Sequence, residues 1–229
     1  MEMARNVFAE NIDALKGMLL LMGNHLERSL EELRNLLQKR DLKSFEFVKT
    51  EDDKVDQLEI EIEKKCLSIL ALQAPVAHDL RFITGALKMS TDLERIGDHI
   101  RKIARKYAYY MEGTDAPVHP AMVDMINILR GMLKDMIDAF NERDMAKARQ
   151  VIARDADVNA IQKEFFREII DVIMKSHNAE QASACVHLLF IARSLERIGD
   201  HIKNLGERII FMETGELVLG RFSTQTDVP

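Results

Sequence analysis

Apolar residues recur at intervals of three and four along most of the chain, and that spacing predicts six long helices. Leu19, Met22, Leu26, Leu30, Leu33 and Leu37 mark the first, over roughly 11–39. Val48, Val55, Leu58, Ile62, Cys66 and Ile69 mark the second, which Asp41 is placed to cap. It should stop at QAPVAHD, because Pro75 disfavours helix in the residue before it. The third is expected over about 76–110, with Met89, Leu93, Ile96, Ile100, Ile103 and Tyr107 as its stripe. After the break at MEGTDAPVHP, three more helices are expected over about 120–141, 145–175 and 179–212. Asn178 and Gln181 have the spacing of a capping box for the last of them.

The pattern is also doubled. The octapeptide LERIGDHI stands at Leu93–Ile100 and again at Leu195–Ile202, an offset of 102 residues. Upstream the match continues at an offset of 103, where Asp52, Val55 and Asp56 correspond to Asp155, Val158 and Asn159. The expected fold is therefore all-α: a tandem duplication of two antiparallel three-helix bundles, since long helices with short connections must lie beside their neighbours. Residues 1–113 form the first unit, 118–213 the second, and 214–229 a short tail.

Composition narrows the function. The formal net charge is −6 and the pI about 5.7, which gives no positive field for a phosphate backbone and argues against nucleic-acid binding. The apolar run at Met18–Met22 is far shorter than the ~20 residues a spanning helix needs, and there is no basic segment of the signal-peptide kind near Glu2. Cys66 and Cys185 lie far apart among apolar residues, so free thiols in a reducing, cytoplasmic setting are expected.

Within the octapeptide, Leu93, Ile96 and Ile100 face the bundle, while Glu94 and Asp98 fall together on nearly the opposite side. Glu196 and Asp200 repeat this in the second unit. Gly97 and Gly199 each cost about 1 kcal/mol of helix propensity relative to alanine, which a close approach by a neighbouring helix would explain. On the second helix Asp52, Asp56, Glu59 and Glu63 form an acidic stripe; Asp155, Asn159 and Gln162 form a thinner one. The second and third helices of a unit are antiparallel neighbours, so the two acidic patches can meet. Asp52, Asp56, Glu59, Glu94 and Asp98, with Asp155, Asn159, Glu196 and Asp200, are the candidate metal ligands, for iron, manganese, calcium or magnesium. The competing account is a solvated acidic face, with Asp98 paired to Lys102.

A di-iron storage or oxidase protein is the alternative function. Such sites need Glu-x-x-His pairs, and no histidine here has an acid three residues before it. His99 and His201 sit about 100° around the helix from the aspartates and are expected on a flank. There is no nucleophile–base pair, glycine-rich phosphate loop or Cys-x-x-Cys, so an enzyme is not expected.

A helical repeat with DDKVD and STDLERIGDHI in one half, and DADVN and ARSLERIGDHI in the other, resembles the PhoU family over essentially the whole chain. HDLR at His78–Arg81 also resembles the family's third-helix start. The resemblance implies two similar three-helix bundles side by side in a cytoplasmic, often dimeric protein. It implies negative regulation of phosphate uptake and of the phosphate-starvation response. The implied partners are the ATPase subunit of the high-affinity phosphate ABC transporter and a phosphate-sensing histidine kinase, with contact to the membrane only through those complexes. It further implies iron or zinc clusters on Glu/Asp-x-x-x-Asp pairs, which fall here on Asp52 with Asp56, Glu94 with Asp98, Asp155 with Asn159, and Glu196 with Asp200. Asn159 breaks the carboxylate pattern and predicts weaker metal occupancy in the second half.

Overall fold

The computed structural model describes residues 2–113, 118–176 and 178–216, all but a few of them helical. Six helices follow in order: α1 (Glu2–Lys39), α2 (Leu42–Gln73), α3 (Ala77–Gly113), α4 (Pro120–Glu142), α5 (Met145–Lys175) and α6 (Ala179–Thr214). The tail beyond residue 216 and the link at 114–117 lie outside the described residues. Helix α1 begins nine residues earlier than its leucine stripe suggested; Phe8 and Ile12 continue that stripe and pack on the core.

Local chemistry sets the ends. Asp41 accepts a hydrogen bond from the Lys43 N–H at 3.0 Å, and Asp144 does the same for Lys147 at 3.0 Å. Pro120 opens α4, where its missing N–H costs nothing. Asn178 caps α6 as expected, but Gln181 does not complete the capping box. Its side chain binds Ser176 Oγ at 2.9 Å instead, and that hydroxyl also receives the Asn178 N–H. Helix α6 closes on Gly215, whose φ of 78° suits glycine, with its N–H bonded to the Phe211 carbonyl.

Within each half the three helices pack on one another, and the halves meet along two antiparallel contacts. Helices α3 and α6 share the largest: Arg81 reaches the Met212 carbonyl at one end, and Lys106 lies over the Phe190 ring at the other. Helices α1 and α4 share the second, with Lys16 on the Asn141 carbonyl and Glu31 paired to Arg130. Among the described residues α2 touches only α1 and α3, and α5 only α4 and α6, so these two helices flank a central layer of four. One continuous core of leucine, isoleucine and methionine runs through both halves. Cys66 and Cys185 are free and buried in it, and burial pushes the Cys66 thiol up to about 12.

Candidate functional site

The octapeptide glycines explain themselves through their neighbours. A Cβ at Gly97 would stand 2.8 Å from Asp52 Oδ1 and 3.3 Å from Leu26 Cδ2. At Gly199 it would stand 3.0 Å from Asp155 Oδ1 and 3.4 Å from Leu129 Cδ2. In both halves the same glycine makes room for the same acid of the preceding helix. The expected close helix approach is present, and a carboxylate fills it.

That corrects the placing of Asp52 and Asp155 on a surface stripe. Asp52 is 3% exposed and Asp155 6%. Each lies between two seam residues, Val48 and Val55 for the first and Val151 and Val158 for the second, at intervals of four and three. They belong to the apolar stripe of their helix, and the spacing was there to be read. Glu94 and Asp98 also differ from a fully outward pair. Their side chains are 17% and 30% exposed, because α2 closes against them on one side.

Helices α2 and α3 thus enclose an acidic groove in the first half. Burial, and then the Asp56 and Asp98 charges, push the Asp52 carboxyl above its ordinary value, against a hydrogen bond from Arg101. Asp56 is raised by burial and by Asp98, and Glu94 by burial and by Asp98, Glu59 and Asp56. This mutual repulsion places Asp52, Asp56, Glu59, Glu94 and Asp98 in one electrostatic neighbourhood. The second groove is poorer. Asp155 is raised by burial and by Asp200, Glu196 by burial, Asp200 and Asp155, and Asn159 turns its amide on Asp155 Oδ2 at 3.0 Å. Glu63, which extended the stripe by another turn, is exposed on α2.

Cations of the chain itself pair with several of these carboxylates. Arg101 Nη1 bonds Asp52 Oδ2 at 2.8 Å, and Lys102 Nζ bonds Asp98 Oδ2 at 2.9 Å, the pairing expected of a solvated face. Arg193 and Arg197 attend Glu196 and Asp200 at 3.0 and 3.3 Å. Among the described residues no group of three or more His, Cys, Asp or Glu side chains stands ready to hold a metal ion. Four carboxylate oxygens nevertheless remain buried without a hydrogen bond, at equivalent places in the two halves: Asp52 Oδ1, Glu94 Oε2, Asp155 Oδ1 and Glu196 Oε2. Glu94 Oε2 and Glu196 Oε2 still have Arg95 and Arg197 nearby at 3.3 and 3.9 Å, and Asp52 Oδ1 and Asp155 Oδ1 pack against Gly97 and Gly199. The oxygens left without a hydrogen bond therefore do not converge on a ready cation site in either half.

The octapeptide histidines lie, half-buried, on the flank of their helices that faces the other half. His99 and His201 face each other across the α3–α6 contact with ring centroids 5.8 Å apart. His201 Nδ1 binds Asp92 at 2.9 Å, and Asn204 reaches the same oxygen at 3.1 Å. The position equivalent to Asp92 in the second half is Ser194, and His99 Nδ1 is buried without a partner. Burial first, then the Lys102 and His201 charges, pushes the His99 imidazole down to about 4. Sequence reasoning also missed Glu51, which is 1% exposed and held by His25, Arg28 and Lys54.

Comparison with known proteins agrees with this doubled architecture. The PhoU domain model matches twice, at residues 19–107 and 122–209. A phosphate-specific transport system accessory protein PhoU homolog of Clostridium acetobutylicum is 34% identical over 217 residues, covering 94% of this chain and 98% of the relative. One of the same description from Caulobacter vibrioides is 34% identical, covering 91% and 90%. The crystal structure of PhoU from Pseudomonas aeruginosa superposes with a TM-score of 0.86 at 31% identity, covering 91% of this chain and all of that one. That of the phosphate transport system regulatory protein PhoU from Streptococcus pneumoniae gives 0.81 at 26% identity, covering 93% and 99%. With both halves matched and relatives above 30% identity aligned end to end, the chain belongs to the PhoU family, a family of accessory regulatory proteins rather than enzymes.

Proposed function

We propose that this chain is an accessory regulator of a phosphate-specific transport system. In this reading it acts in the cytoplasm as a homodimer, restrains phosphate uptake and starvation signalling, and couples the ATPase subunit of the transporter to a phosphate-sensing histidine kinase. The observation that carries the reading is the family match over both halves, with relatives described as phosphate-specific transport system accessory proteins. Among the described residues no helix is long and apolar enough to cross a membrane, which accords with a peripheral partner of a transporter. Deleting the gene should raise starvation-controlled phosphatase output in phosphate-rich medium. Unchanged output in a strain with an intact transporter and sensor kinase overturns the reading.

The acidic grooves are the metal sites of this proposal. Asp52, Asp56, Glu59, Glu94 and Asp98 would hold a cation in the first half, and Asp155, Asn159, Glu196 and Asp200 in the second. A bound di- or trivalent ion there would neutralise carboxylates that already resist ionisation, and would tie α2 to α3. More anionic oxygens favour the first half. Glu94→Gln with Asp98→Asn is therefore expected to strip more metal than Glu196→Gln with Asp200→Asn. Both variants should keep their helicity, because each removes charge that burial disfavours. Elemental analysis of the purified proteins, with circular dichroism as control, decides; equal metal loss from the two variants rejects the asymmetry.

A further inference from the structure

Helices α2, α3, α6 and α5 pack in that order and share an outer face, whose two ends differ in charge. On the α2 edge, Asp56, Glu59 and Glu63 follow at three and four residues, beside the exposed Ile60 and Leu67. The equivalent three positions on α5 are Asn159, Gln162 and Phe166, beside Lys163 and the exposed Ile170. The central helices continue the contrast. Between 99 and 110, α3 carries four cations and no acid, and the stretch of α6 beside it, 181–195, carries Arg193 and no acid. Arg101 and Lys102 are already paired with Asp52 and Asp98, which leaves Arg105 and Lys106. Lys106 lies 4.7 Å from the Phe190 ring centroid, and Tyr109 meets His187 edge-on at 5.7 Å. Tyr109 is 65% exposed and Phe190 53%, so this basic end also presents two aromatic rings to solvent. At the other end of the α3–α6 seam the equivalents of Phe190 and Val186 are Lys88 and Thr84, so duplication does not account for the patch.

We infer that two copies of this chain pair face to face about a two-fold axis, each seating its Tyr109–Phe190 patch on the acidic α2 edge of the other. The inference gives the homodimer of the proposed function its interface, and rests on that part of the reading. A two-fold contact is isologous, so one chain must carry both surfaces of the match, and this chain does. Each copy has a formal net charge of −6, so association needs opposite charges brought together locally. Patch against patch would set Lys106 and Lys163 against their own copies, and edge against edge would do the same with Glu59 and Glu63. Patch against edge is the pairing that attracts. The edge also offers a receptacle: Glu59 and Glu63 border an open cleft of about 540 Å³ whose opposite wall is Lys88 and Arg208. An aromatic ring entering there lies beside those two cations, while the partner's Lys106 meets the carboxylates. Ile60 and Leu67 on the edge, and Val186 and Ile170 near the patch, are the exposed apolar side chains that such a contact buries.

Sedimentation velocity of the full chain over a concentration series tests this with two charge-reversed variants. Lys106→Glu with Lys163→Glu makes the patch acidic, and Glu59→Lys with Glu63→Lys makes the edge basic. Each variant alone should dissociate at least about tenfold more readily than wild type, because both of its contacts become repulsive. Mixed in equal amounts, the two should form a dimer again. The acidic patch of one then meets the basic edge of the other, and the unaltered patch and edge meet in the second contact. Both variants remain net negative, so bulk charge does not bring them together. A dimer unaltered by either pair of substitutions, or a mixture that stays monomeric, overturns this interface and leaves the homodimer standing. Circular dichroism checks the fold. If a reversed variant loses helicity, Lys106→Gln with Lys163→Gln and Glu59→Gln with Glu63→Gln take its place. Each neutral pair should weaken the dimer, and a dimer that neither weakens overturns the interface in the same way. A wild type that is monomeric at every concentration overturns the interface and the homodimer together, and leaves the family assignment untouched.

Discussion

Gly97→Val is expected to destabilise the protein by about 2–4 kcal/mol, the cost of overpacking a closed helix contact. In a chain of this size that lowers the melting temperature by roughly 5–15 °C. The new Cβ would meet Asp52 Oδ1 at 2.8 Å, Leu26 Cδ2 at 3.3 Å and Val55 Cγ1 at 3.7 Å, which leaves no direction of escape. Asp52 cannot simply rotate aside, because Arg101 holds its other oxygen. Relief must come from separating α2 and α3, and that opens the acidic groove as well. Gly199→Val should be milder, since its contacts at 3.0 and 3.4 Å are looser. Gly17→Ala has nothing within 4 Å and should change sign, gaining up to about 1 kcal/mol of helix propensity. Thermal denaturation followed by circular dichroism orders the three. A Gly97→Val protein as stable as wild type would mean that the glycine is not kept for this contact.

This contact also shows how far the sequence could be read. The helices were legible because long runs of Leu, Ile and Met at three- and four-residue spacing leave one face to bury, and the caps at Asp41 and Asn178 follow from local chemistry alone. The doubled octapeptide announced the duplication, and Gly97 announced a close neighbour. The identity of that neighbour was harder. Acidic residues are ordinarily solvated, so Asp52 was assigned to the surface although Val48 and Val55 flank it at seam spacing. The position of His99 was not legible at all. It depends on the antiparallel register of α3 against α6, which is set by contacts between halves and has no periodic signature in either.

The two halves also diverge where the repeat is silent. Asp92 and Ser194 occupy equivalent positions, yet Asp92 binds a histidine of the opposite half whereas Ser194 Oγ bonds the Phe190 carbonyl of its own helix, so the α3–α6 contact is polar on one side of its centre and unsatisfied on the other. A similar break separates Glu51 from Arg154. Glu51 is a buried acid of α2 with bases around it; Arg154, half-buried, bonds Asp135 at 2.6 Å and fills the space beside Gly131, the counterpart of Arg28. One position in the fold has thus been filled with opposite charges, each with its own partners. Such a pair of solutions argues that the site requires a compensated charge or a good packing group, and tolerates either sign.

Glu51→Ala is accordingly expected to cost about 1.5–3 kcal/mol at neutral pH, the range for losing a hydrogen bond to a charged group. That is less than the loss from a wholly buried pair, because Arg28 and Lys54 are about half exposed. The carboxylate accepts from His25 Nδ1 at 2.7 Å and from Lys54 Nζ at 2.7 Å, with Arg28 Nη1 at 3.3 Å. Burial works against its ionisation, yet the bonds from Lys54 and His25 and the charges of His25 and Arg28 outweigh burial and hold its pKa below the ordinary value. The sign of the pH dependence follows. A carboxyl depressed in the folded state contributes stability that is present in full above its unfolded value, near 4.5, and is lost as pH falls through the lower folded value. The stability gap between wild type and Glu51→Ala should therefore be widest near pH 7 and narrow as pH falls below the unfolded value and through the lower folded one. Glu51→Gln separates charge from shape: it should lie between the two at pH 7 and converge on wild type in acid. Urea denaturation of the three proteins at pH 7 and at pH 3.5 measures the gap. A cost for Glu51→Ala that is the same at both values would assign the loss to the missing side-chain volume, and would leave the surrounding His25, Arg28 and Lys54 without an electrostatic role in holding α2 against α1.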